Sequence, residues 1–161
     1  MNNKFNQLQN QPPSFMQKDI INVSTDVIWD FYLSHNAIKK LTPPFTPMQV
    51  IKNEPLADNS ITKMRIWLGP IPIAWEAKHF DFDTNVGFTD MQTSGPMKFW
   101  IHRHEIKHIN DTQSMIEDKI WYQHFKGIKG ILSRIFFSKP AIYILFKYRS
   151  WATRRAIKNK L

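Results

Sequence analysis

Residues 97–124 read MKFWIHRHEIKHINDTQSMIEDKIWYQH. Apolar and polar side chains alternate over 97–109 and again over 112–124, and the break between the two runs, Asn110-Asp111, is a pair that favours tight turns. The stretch therefore predicts two long antiparallel strands. Successive side chains of a strand point to opposite faces, so Trp100, His102, His104 and Ile106 share one face while Phe99, Ile101, Arg103 and Glu105 share the other. Arg103 and Glu105 mark the second face as the wet one, which puts Trp100, His102 and His104 on the inner, concave side. On the partner strand Ile116, Asp118, Ile120 and Tyr122 fall together by the same rule.

The same period-two pattern recurs upstream over 48–53, 61–68, 73–82 and 86–93, separated by the turn formers Asp58-Asn59, Gly69-Pro70, Thr84-Asn85 and Ser94-Gly95-Pro96. Phe88, Asp90 and Gln92 share one face of the last of these. An apolar segment over 15–23 adds a seventh strand. Ser24 then stands where a helix N-cap is expected, and Ile28, Phe31 and Tyr32 recur at helical spacing over 25–34, with Asp26 in the first turn. A second helical turn over 37–41 is stopped by Thr42-Pro43-Pro44.

Beyond His124 the period changes. Ile128, Ile131, Leu132, Ile135 and Phe136 follow an i, i+3, i+4, i+7, i+8 pattern with Lys126, Lys129 and Arg134 at other positions, which describes a short basic amphipathic segment. Pro140 is suited to the first turn of a long final helix over 141–158, where Ala141, Leu145, Tyr148, Ala152 and Ala156 form the face expected against the sheet. The predicted architecture is α+β: a curved seven-strand antiparallel sheet wrapped around a long C-terminal helix, with two short helices after the first strand and a cavity between sheet and helix.

A length of 161 residues suits one domain, read as 14–161, preceded by an Asn- and Gln-rich lead-in over 1–13 that is expected to be disordered. The absence of cysteine removes thiol catalysis, cysteine-ligated zinc and disulfides. Ala141 to Phe146 is the longest wholly apolar run, far below the roughly 20 residues of a membrane-spanning helix. The opening MNNKFNQLQNQPPS lacks the apolar stretch of an export signal, so a cytoplasmic protein is expected. Charge is uneven: residues 121–161 carry ten Lys/Arg and no acidic residue, while the rest of the chain is nearly balanced. An anionic membrane surface is the partner that this basic, amphipathic tail suits; nucleic acid is not expected, since no recognition motif accompanies the charge.

Several stretches together resemble the START-like SRPBCC ligand-binding superfamily, and more narrowly its polyketide cyclase/dehydrase-like bacterial branch. They are Gly69-Pro70-Ile71-Pro72-Ile73-Ala74-Trp75-Glu76, Phe88-Thr89-Asp90-Met91-Gln92, Gly95-Pro96 and Trp100-Ile101-His102-Arg103-His104, with Leu41-Thr42-Pro43-Pro44, Asp118 and Tyr148-Arg149 in support. The resemblance implies the helix-grip (START/Bet v 1-like) fold and an apolar pocket. It does not choose a function, because that superfamily includes carriers, receptors and enzymes.

The residues then support two readings of one site. Trp75, Trp100 and Tyr122 are expected to line the cavity, Asp90, Gln92, His102, His104 and Asp118 to converge inside it, and Tyr148 and Arg149 to face it from the helix, Arg149 receiving a ligand carboxylate or phosphate or an internal Asp. In the preferred reading this set binds a hydrophobic small molecule without catalysis, the buried polar groups satisfying one another. In the alternative, His102 or His104 is a general acid/base oriented by Asp90 or Asp118, acting on a carbonyl substrate as a cyclase or dehydrase would. Two histidines and a carboxylate can also hold zinc or iron. No third ligand is identifiable by spacing and no HExxH motif is present, so neither a metal nor another cofactor is expected.

Overall fold

The computed structural model describes residues 7, 8 and 10–158. Its strands are β1 (Phe15–Ile21), β2 (Met48–Asn53), β3 (Ile61–Leu68), β4 (Ile71–Asp83), β5 (Gly87–Ser94), β6 (Phe99–Asn110) and β7 (Gln113–Gln123). The helices are α1 (Thr25–Tyr32), α2 (Ala37–Lys40), α3 (Ile131–Phe136) and α4 (Lys139–Lys158), with a 3-10 turn at Ile128–Gly130 before α3. All seven strands form one antiparallel sheet in the order β1-β7-β6-β5-β4-β3-β2, so the meander is closed on one side by the first strand pairing with the last. The predicted helix-grip architecture is the one observed.

Local chemistry explains most boundaries. Gly69, at φ +61, and Pro70 make a two-residue loop, which lets Ile71 pair with Leu68 and extends β4 two residues beyond the predicted start. β6 begins at Phe99 rather than Met97 because Met97 turns inward, 1% exposed, with its backbone held by Gln92. At Gly87 the chain passes so close to β6 that an added Cβ would lie 1.8 Å from the carbonyl oxygen of His104. Only glycine fits there, which fixes β5 against the strand that carries the histidines.

The concave face divides into three bands. One apolar cluster joins Ile21, Ile28, Trp29, Phe31, Phe88, Ile106 and Ile116 to Ala152, Ala156 and Ile157 of α4. A second joins Met64, Trp75, Met97, Trp100 and Ile120 to Ile142 and Phe146. Between them lies a polar belt: Asp90 on β5, His102 and His104 on β6, Asp118 on β7, Gln17 and Asp19 on β1. The C-terminal helix spans all three bands. Asp19 anchors it, accepting hydrogen bonds from Ser150 (2.7 Å) and Arg154 (3.1 Å), while Gln17 donates to the Phe146 carbonyl at 3.1 Å.

Two expectations about faces are corrected. The buried face of α4 carries Ile142, Phe146, Ala152, Thr153, Ala156 and Ile157, so Ala152 and Ala156 belong to it, Leu145 and Tyr148 pack partly buried at its margins, and Ala141 is only partly buried. The helix is rotated because its bulky Ile142 and Phe146 seek the apolar band. The convex face is not uniformly wet either. Arg103 is buried, bonded to Asp81 and Thr89, and Glu117 is buried beneath Lys18, Lys107 and Lys119. Ile101 and Trp121 form a small outer cluster with Leu8, and the Trp121 indole donates to the Gln11 carbonyl at 3.1 Å. Part of the expected lead-in thus covers this face; residues 1–6 and 9 of it, and 159–161 at the other end, lie outside the described residues. No helix among the described residues is long and apolar enough to cross a membrane.

Candidate functional site

Strand register builds the centre of the polar belt. Asp90 sits opposite His102 in the β5–β6 pair, and His104 sits opposite Asp118 in the β6–β7 pair. The two acids therefore flank the two histidines diagonally, and each imidazole comes between both carboxylates. His102 Nε2 is 2.8 Å from Asp118 Oδ1 and its Nδ1 is 3.4 Å from Asp90 Oδ2. His104 Nε2 is 3.3 Å from Asp90 Oδ2, and its Nδ1 is 2.9 Å from Asp118 Oδ1, at an angle that does not make a hydrogen bond. The rings lie close, 3.7 Å between centroids, and Phe88 stacks on His104 at 4.3 Å.

Burial and pairing oppose each other here. Burial by itself raises the Asp90 and Asp118 carboxyls, yet the hydrogen bonds and charge of His102 and His104 hold both well below the usual carboxylate range. Burial likewise works against a charged His102, but its bonds to Asp118 and Asp90 outweigh this and raise it. Tyr32 is pushed up by burial and by the nearby Asp118 charge, so its phenol stays protonated as a donor.

Beside this quartet is a space of about 10 Å³, room for a single water, lined among others by Asp19, Tyr32, His104, Asp118, Arg149 and Ser150. Much of the space between sheet and helix where an apolar cavity was expected is filled by Met97, Ile142 and Phe146, each about 1% exposed. Arg149 lines the space with its Nε buried and without a hydrogen-bond partner, and it makes no ion pair among the described residues. Its guanidinium lies over the Phe146 ring, 5.4 Å from the centroid.

The predicted site residues separate into groups. Asp90, His102, His104 and Asp118 come together, and Arg149 faces the same space. Trp75, Trp100 and Tyr122 form an aromatic group with Phe137 in the other band, Trp75 and Trp100 meeting edge to face at 5.7 Å. Gln92 is committed to the 94–96 turn, its amide bonded to both backbone groups of Met97. Tyr148 packs toward Trp151 and does not line the space. Sequence reasoning missed Asp19, Tyr32 and Ser150. Alternation through Phe15, Gln17, Asp19 and Ile21 turns Asp19 inward and would have revealed it; Tyr32 was legible only as part of an apolar helix stripe.

No family model matches the chain, and no curated protein matches it in sequence. Solved structures do match in fold. A nucleoside-diphosphate sugar epimerase from Corynebacterium glutamicum is 25% identical with a TM-score of 0.65, the match covering 90% of this chain but only 29% of the epimerase. A START superfamily protein from Mycobacterium smegmatis is 8% identical with a TM-score of 0.67, covering 91% of this chain and 98% of the other. A norcoclaurine synthase point mutant from Thalictrum flavum, in complex with a transition-state analogue, is 11% identical with a TM-score of 0.64 over 91% and 94%. With its sheet order, its two short helices after β1 and its gripping α4, the chain has the START-like, SRPBCC helix-grip fold.

Proposed function

We propose that this protein binds a small hydrophobic molecule or lipid between the sheet and α4, the polar end of the ligand meeting Arg149 and the apolar body replacing Phe146 and Ile142 against Trp75 and Trp100. Arg149 carries the reading: a buried, unpartnered guanidinium nitrogen on the gripping helix, facing a space lined by Tyr32 and Ser150, suits a carboxylate or phosphate. Binding is favoured over cyclase or dehydrase chemistry by the histidines themselves. Every ring nitrogen of His102 and His104 lies within 3.4 Å of a carboxylate, which favours pairing inside the site over proton transfer to a substrate.

A dansylated fatty acid, with a carboxylate and an apolar chain, tests this directly. The expected result is one-to-one binding that Arg149→Ala weakens about tenfold or more, since a hydrogen bond to a charged group contributes about 1.5–3 kcal/mol. Native mass spectrometry of the purified protein, followed by organic extraction, would identify a resident ligand. Probe binding indifferent to Arg149→Ala would overturn the anchoring role, and no binding would overturn the reading.

The second part of the proposal is exchange of that ligand at an anionic bilayer. Ser133 is the buried residue of α3, whereas Ile128, Ile131 and Ile135 are half or more exposed beside Lys126 and Arg134. An apolar face rimmed by cations is what an anionic interface holds. The protein is expected to float with vesicles containing phosphatidylserine and not with pure phosphatidylcholine, and Lys126→Glu with Arg134→Glu to abolish flotation. Equal behaviour with both vesicles sinks this part.

A further inference from the structure

The two acids of the quartet stand at different distances from the histidines. One side of it is tight: His102 Nε2 and Asp118 Oδ1 are 2.8 Å apart. The other side is loose: Asp90 Oδ2 is 3.4 Å from His102 Nδ1 and 3.3 Å from His104 Nε2. N–H···O hydrogen bonds fall at roughly 2.7–3.2 Å. A tetrahedral ion with bonds of about 2.0–2.1 Å holds its ligand atoms about 3.3–3.4 Å from one another. The two edges from Asp90 Oδ2 to the imidazole nitrogens thus have the length such a site needs, and ligand atoms of all three residues lie within 4.8 Å of one another.

From this we infer that Asp90, His102 and His104 form a binding site for a divalent first-row metal ion, zinc being the best fit. The tight side of the quartet has the matching role. A histidine that ligates a metal through one nitrogen presents the other to a carboxylate, which sets the ring's orientation and strengthens it as a ligand. Asp118 stands in that position for His102 through a hydrogen bond and lies 2.9 Å from Nδ1 of His104. An ion seated at the Asp90 side takes the place of any proton on the nitrogens that face Asp90. Three protein ligands leave the fourth corner for water or another small ligand. Entry is from the Asp90 side, whose carboxylate side chain is 18% exposed while both imidazoles are buried.

The proposed metal ligands include neither Arg149 nor Phe146, although His104 and Asp118 also line the space that Arg149 faces. Spacing in the sequence could not identify the metal site. His102 and His104 are two apart, but the third ligand comes from a neighbouring strand, and only the register that sets Asp90 opposite His102 brings it in.

Cobalt(II) is the probe, since four-coordinate Co(II) has an intense visible d–d absorption and zinc displaces it. The tag-free protein, stripped with chelator, is titrated with Co(II) alone and then with Zn(II). The expected result is a one-to-one tetrahedral spectrum, bleached by zinc, with zinc affinity measured against a chromophoric chelator. Asp90→Asn, nearly isosteric and at the most exposed of the three ligands, is expected to abolish the band while the far-UV circular dichroism stays unchanged. Asp118→Asn is expected to keep the band but weaken zinc about 10–100-fold, as loss of an orienting partner does. His35→Gln, on the surface, should change nothing. Absence of a tetrahedral Co(II) band in the wild-type protein overturns the proposal, as does a band that survives in a folded Asp90→Asn protein.

Discussion

Asp118→Ala is expected to cost about 3–5 kcal/mol of folding stability, the scale found when one partner of a buried ion pair is removed and the other stays behind. Asp118 is 8% exposed and has both His102 and His104 against the same oxygen. Alanine leaves two buried imidazoles facing an apolar gap, with Asp90 at 3.3 and 3.4 Å as the remaining acid. Against a total stability of roughly 5–15 kcal/mol for a domain, that is a large fraction. Urea denaturation followed by Trp fluorescence measures it. Asp118→Asn, which keeps an acceptor oxygen, should lose distinctly less. A loss below about 1 kcal/mol for the alanine variant would mean that the quartet is solvated and does not brace the sheet.

Phe146→Ala should cost a similar amount, about 3–5 kcal/mol for a large aromatic truncated in a packed core. Phe146 is 1% exposed, touches the ring of Phe15 at 5.1 Å and that of His102 at 5.2 Å, and lies under Arg149. Its second effect is the informative one. The void it leaves lies in the space assigned to the ligand's apolar body, so the truncated protein should bind a dansylated fatty acid more tightly than the wild type does, even as its melting temperature falls. Destabilisation without a gain in binding would move the apolar body of the ligand elsewhere. The wild-type interior is closed because α4 brings Phe146 and Ile142 to the very band that Trp75, Trp100 and Met97 form from the sheet.

Element type was legible because it is a local property. Period-two alternation over 97–109 and 112–124, turn pairs such as Gly69-Pro70, and the prolines after Leu41 each act within a few residues, and the strands and helices they announce are present within two or three residues of the expected ends. Where a boundary moved, a specific contact moved it, as with Met97 drawn inward by Gln92. The inner face of β6 was legible for the same reason, from Trp100, His102, His104 and Ile106 at spacing two. What misled was the outer face. Arg103 and Glu105 were read as wet, whereas Arg103 is covered through Asp81, a residue 22 positions away, and Ile101 through Leu8.

The sequence by itself determined the order of the elements, the inner face of the sheet at its centre, and four of the polar residues that would have to be satisfied inside, Asp90, His102, His104 and Asp118. Those follow from side-chain period and turn chemistry, which need no knowledge of distant neighbours. Tertiary structure alone decided that Asp90 would stand opposite His102 and Asp118 opposite His104, that Asp19 would hold α4, and that Phe146 rather than open space would occupy the grip. Register and packing are sums over contacts between segments far apart in the chain. One residue of slip in β5 or one step of rotation in α4 would have reassigned every partner in the site.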